Sequence, residues 1–86
     1  MAAIIRRRVP AVAGPLAAEV ARGIARLRDL ELAKPPGVAE AISWAQALVV
    51  LGADRVDEAA TARTAGVVLK YSEDLEAARA AGWGTP

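Results

Sequence analysis

The 86 residues suffice for one small domain, which at this size buries only about 60 to 65% of the surface of its unfolded chain. Apolar residues make up 55% of the sequence, but alanine supplies many of them and the aromatics are Trp44, Tyr71 and Trp83, so a thin core of closely packed helices is expected. Without Cys or His the chain has neither disulfides nor the commonest zinc and transition-metal ligands, and part of its stability is expected to come from a neighbour.

The net charge of +1 hides an asymmetry: residues 1–30 hold six Arg against Glu19 and Asp29, whereas the remainder holds five basic against eight acidic residues. The first end therefore suits an acidic contact. A solvated basic face is nonetheless favoured over nucleic-acid binding, because aromatic side chains that would stack on bases are missing there. No apolar run approaches the roughly 20 residues of a membrane span. Arg6-Arg7-Arg8 is not followed by a signal-peptide apolar stretch and cleavage site, and the expected location is cytoplasmic.

In chain order, Ala3 to Arg8 reads as a helix end or an extended entry, stopped by Pro10. Gly14-Pro15 opens a helix whose apolar stripe is Leu16, Val20, Ile24, Leu27 and Leu30; Gly23 in its middle implies the close approach of another backbone. Lys34-Pro35-Pro36-Gly37 cannot continue that helix. From Val38 to Leu51 two adjacent stripes, Val38, Ile42, Ala45, Val49 and Ala41, Trp44, Leu48, Leu51, predict a central helix, stopped at Gly52. Asp57 is the expected N-cap of a helix running to about Lys70, in which Thr61, Thr64 and Gly66 lower intrinsic propensity. Ser72 is the expected cap of a last helix with Glu73, Asp74 and Glu76 in a solvated first turn, and residues 83–86 are expected to fray beyond a domain of residues 1–82. Strand-like alternation is not sustained, so the fold class is all-α, one bundle of four or five helices.

The chemistry-bearing patterns are absent: there is no GxxxxGK[ST] phosphate loop, no GxGxxG, and no His or Cys to act as base or nucleophile. No catalytic residue and no metal site is assigned, and the chain by itself is not expected to be an enzyme.

Lys34-Pro35-Pro36-Gly37-Val38-Ala39-Glu40, continuing through Trp44-Ala45-Gln46-Ala47-Leu48, resembles the KPPxVAExxxWAxAL segment in the C-terminal region of MoxR-type AAA+ ATPases. Gly66-Val67-Val68-Leu69-Lys70-Tyr71-Ser72-Glu73-Asp74 is similar to that family's LGVLLKYxED ending, and Arg7-Arg8-Val9-Pro10 to its RRVP segment, so three matches in order span nearly the whole chain. The branch suggested is that of carbon monoxide dehydrogenase accessory ATPases. The resemblance implies an AAA+ lid-like bundle that follows a nucleotide-binding core and couples nucleotide state to subunit contacts and to remodelling of a client or maturation of a metal centre. ATP and Mg are implied for the parent enzyme. The implied partners are its own core domain, a neighbouring subunit of a ring and a client such as a von Willebrand A-domain protein; a membrane is not implied.

Where such lids often carry a phosphate-sensing arginine, this sequence reads Pro36-Gly37-Val38-Ala39, and Lys34 is the nearest cation, the one candidate nucleotide-phosphate contact. Ser43 stands where an acid is common and Gln46 where a basic residue is common. Glu40 is expected to hold helix-start amides or a partner's cation, Trp44 to anchor the core or an interface, and Tyr71 to wedge the last two helices. The alternative reading is a free-standing helical protein-interaction or nucleic-acid-binding module, suggested by the basic first half and a turn between helices.

Overall fold

The computed structural model describes residues 1–84. It is all-helical: α1 Ala2–Arg8, α2 Gly14–Arg28, α3 Val38–Leu51, α4 Glu58–Val68 and α5 Ser72–Ala80, in a body 32 × 22 × 19 Å. The opening segment resolves as a helix rather than an extended entry. α3 is the central element, packed against α1, α2 and most extensively α4.

Local chemistry sets the ends. Pro15 lies in the first turn of α2, where a missing N–H costs nothing. α2 ends at Arg28, so Leu30 falls in the following turn and is only half-buried, while Leu16, Val20, Ile24 and Leu27 all reach the core. Gly52 takes φ +80°, which lets its own N–H reach Val49 O (3.0 Å) and that of Ala53 reach Leu48 O (3.0 Å), using the last carbonyls of α3. At the start of α4 the Asp57 carboxylate accepts from Ala60 N at 2.8 Å, as its position predicts.

Trp44 is fully buried and touches three elements at once. Its six-membered ring fills the place of a side chain at Gly23, where an added Cβ would lie 2.8 Å from Cη2 and Cζ3. The close approach foreseen at Gly23 is thus by an indole ring, not by a backbone. On the opposite side Nε1 donates to Thr64 Oγ1 at 2.8 Å, and that hydroxyl donates onward to Ala60 O at 2.8 Å. Thr64 therefore offsets its weak helix propensity by satisfying the indole in the core.

Several expectations are corrected. Val38 and Leu51 are 41% and 37% exposed, so the two stripes of α3 narrow to the buried Ala41, Trp44, Ala45 and Leu48, flanked by half-buried Ile42 and Val49; the neighbours cover the middle of the helix better than its ends. α4 stops at Val68, because Leu69 turns extended (φ −115°, ψ 124°) to lead into α5. Ser72 does not cap α5: Tyr71 occupies the N-cap and no side chain bonds there. Tyr71 is 47% exposed and wedges nothing. Trp83 and Gly84, in the tail expected to fray, lie against the bundle. Trp83 N donates to Ala78 O (2.9 Å), its indole Nε1 donates to Gly23 O (3.1 Å), and its ring centroid lies 5.0 Å from that of Trp44 at a tilt of 43°. Thr85 and Pro86 lie outside the described residues.

Truncating Trp44 to alanine removes the contact shared by α2, α4 and residue 83, and a loss of about 3 kcal/mol is expected in denaturant titration; a loss below about 0.5 kcal/mol would contradict its central place. Gly23→Ala makes a sharper test. Alanine in a helix interior ordinarily gains about 1 kcal/mol over glycine. Here the added methyl meets the Trp44 ring, so the substitution should instead destabilise by about 1–3 kcal/mol.

Candidate functional site

Lys34 sits in the loop that enters α3, and the sequence explains the shape of that loop. α2 ends at Arg28 and the Pro35-Pro36 pair keeps a helix from forming before α3, so the amides of Ala33 and Lys34 have no helical partner and need an acceptor elsewhere. Asp74 of α5 provides it: Oδ1 accepts from Ala33 N at 2.8 Å and Oδ2 from Lys34 N at 3.0 Å. One carboxylate thereby fastens the loop to the last helix, and Asp74 is only 2% exposed. This corrects the reading of residues 73, 74 and 76 as a solvated acidic turn: Glu73 and Glu76 are exposed, but Asp74 is an internal clasp.

Glu40 takes the first of its two expected roles, its Oε1 accepting from Gly37 N at 2.7 Å across the first turn of α3. The consequence for anion binding is direct. The positive end of α3 already holds a carboxylate, so a phosphate arriving there would meet a like charge.

The Lys34 side chain is exposed, and Lys34, Pro35, Pro36, Glu40, Val68 and Lys70 line a pit of about 10 Å³, the room of roughly one water. A phosphoryl group does not fit inside it. Contact of Lys34 with an anion would have to occur above the pit, at the face of the molecule. Lys70 was not singled out from sequence, although it stands in the second resembling segment. Its Nζ reaches Val67 O at 3.4 Å, over the end of α4, which brings two lysines to the same end of the bundle. The signal was the lysine within that segment; its proximity to Lys34 depends on how α4 and α5 fold back.

The basic residues of the first half are spread over separate surfaces. Arg6, Arg7 and Arg8 occupy the last turn of α1, with the Arg6 guanidinium over Gly14. Arg26 has a structural task, its Nη2 donating to Ala81 O (3.4 Å) and Gly82 O (3.1 Å) beyond the end of α5. No helix among the described residues is long and apolar enough to cross a membrane, and none of the His, Cys, Asp or Glu side chains there gather in threes as metal ligands would.

The separate roles of Lys34 and Asp74 lead to a paired test. Asp74→Asn keeps one acceptor but turns an amide group toward the other backbone N–H, so a loss of about 1–3 kcal/mol is expected, with faster hydrogen exchange at Ala33 and Lys34. Lys34→Ala retains its backbone N–H and should leave the melting curve nearly unchanged. The opposite ranking would show that the lysine side chain, not the clasp, holds the loop.

Compared with models of known protein families, with curated proteins and with solved structures, the chain matches none.

Proposed function

We propose that this chain acts as the helical lid of a MoxR-type AAA+ ATPase, coupling nucleotide state to subunit contacts and to remodelling of a client or maturation of a metal centre. In this reading it supplies no bond-breaking group. The observation that supports it best is the Asp74 clasp, because it joins the two longer segments that carry the resemblance. Ala33 and Lys34 at the Pro-Pro turn and Asp74 at the start of α5 are about forty residues apart in sequence yet share one carboxylate. A lid that transmits force needs its loops fixed to its helices, and a buried two-pronged bond to backbone amides provides that stiffness. Lys34 and Lys70 at the same end would meet the core or a neighbouring subunit as point charges at the rim.

This lid needs a nucleotide-binding core, either in the same polypeptide or as an associated subunit, and a GxxxxGK[ST] loop encoded upstream of or beside the gene is the first thing to look for. The 86-residue chain alone should hydrolyse no ATP above a buffer control. In the assembled ATPase, Lys34→Ala should lower turnover roughly tenfold, about 1.4 kcal/mol, with Lys70→Ala acting in the same direction. Unchanged turnover in both variants would remove the lysine end from the mechanism, and lack of any associated core would overturn the lid itself. The basic first half keeps a nucleic-acid module as the second reading. Preference for one DNA duplex over random sequence by about a thousandfold at physiological salt would establish that reading instead.

A further inference from the structure

The outer side of the α3 and α4 pair carries an apolar surface that no internal contact covers. From Ala41 to Ala53 the chain holds no charged residue, although Gln46, Val50 and Leu51 of that stretch face solvent. A surface helix ordinarily keeps charges on its outer side. Val50 is 88% exposed, against 47% for the next most exposed large apolar side chain, Tyr71. It stands at the edge of an open, mostly apolar groove of about 440 Å³, lined also by Ala47 and Leu51 of α3 and by Arg63 and Val67 of α4. Beside Val67, Gly66 is exposed in the interior of α4, and an added Cβ there would meet nothing within 4 Å. No contact inside the described chain requires glycine at this position, where alanine would strengthen the helix. A backbone arriving from outside would require it.

We propose that this face binds a second copy of the same chain through a two-fold contact, with Val50 of each copy seated in the groove of the other. A projection and a hollow on one face are what a two-fold contact needs, because each copy then offers both. The charges agree with it. Among the described residues Arg63 is the one charged side chain lining the groove, and neither it nor Asp54, four residues beyond Val50, has a hydrogen-bond or ion-pair partner there. With Val50 seated across the axis, Asp54 of each copy meets Arg63 of the other. A net charge of +1 sets little repulsion between the two copies. A lipid surface suits the face less well, since helices that lie on membranes flank their apolar side with Lys and Arg, and α3 has neither. The contact needs no ATPase core, so it stands apart from the lid reading.

The test is sedimentation equilibrium of the 86-residue chain from micromolar to millimolar concentration, with NMR spectra recorded over the same range. A reversible equilibrium between monomer and dimer is expected, with concentration-dependent shifts at Ala47, Val50, Leu51 and Val67. Val50→Glu puts a charge into the contact and should weaken dimerisation about tenfold, without lowering the melting temperature of the dilute monomer. Arg63→Asp and Asp54→Arg should each weaken it severalfold, and the double variant should restore it, a rescue that a merely apolar patch would not give. Gly66→Ala should raise the melting temperature of the dilute chain while weakening dimerisation. Arg7→Glu, on α1, should leave dimerisation unchanged. A chain that stays monomeric at millimolar concentration would overturn the proposal, as would association that Val50→Glu leaves intact or a double charge exchange that rescues neither single variant. A monomeric chain that cosediments with anionic vesicles, and loses that property in Val50→Glu, would give the face to a lipid surface instead.

Discussion

The structure depends on one indole. Trp44 is the largest fully buried side chain in a core made, apart from it and Trp83, of aliphatic residues and alanines, and it is placed where a single group meets α2, α4 and Trp83. Its ring needs α2 to present no side chain at residue 23, and Gly23 meets that need; its N–H needs an acceptor from α4, and Thr64 meets that one. Because an aromatic side chain contributes a large share of the apolar area in so small a domain, the positions of α2 and α4 follow from the two faces of this residue.

The same contact explains why the chain is ordered past its last helix. With no side chain at residue 23, the Gly23 carbonyl and the edge of Trp44 remain accessible from the side of α5. Trp83 covers both, donating to the carbonyl and tilting its ring against the other indole. Arg26, one turn along α2, then takes the carbonyls of Ala81 and Gly82. One element of cost stands out beside these bonds. Among the described residues the buried Thr61 hydroxyl has no hydrogen-bond partner, and it lies against Gly84, where an added Cβ would be only 2.6 Å from Oγ1. An unpaired buried hydroxyl costs on the order of 1–3 kcal/mol.

Much of this was legible in the residues, and the division is physical. Features governed by a few neighbours in sequence follow directly: the stop at Gly52, the Asp57 cap, the reach of Glu40 to Gly37 N and the buried stripe of α2. Features that depend on a partner from far along the chain did not. Asp74 looks like one more acid matched to a helix dipole until the loop forty residues earlier is seen to lack acceptors, and Thr64 looks like a weak helix former until Trp44 faces it. Trp83, between two glycines, has every local mark of a loose end. Of the candidate site, Lys34 was visible as a cation before a helix; the occupation of that helix start by Glu40 and the arrival of Lys70 beside it required the fold.

The acids also set what the basic residues are available to do. Glu19, Glu40, Asp57 and Asp74 each accept from backbone N–H groups at a loop or a helix start, at 2.7 to 3.0 Å. Such bonds to an ionised carboxylate are stronger than neutral ones and rigidify the connections of a domain that lacks disulfides. A carboxylate committed to an amide still carries its charge, but its position is fixed by the backbone and not by a nearby arginine. Among the described residues Arg22 and Arg55 have no hydrogen-bond or ion-pair partner, so the nearly neutral total charge conceals an uneven distribution. Satisfying the loops from within thus leaves Arg22 and Arg55 exposed on the surface, where an anion from solution or from another molecule can approach them.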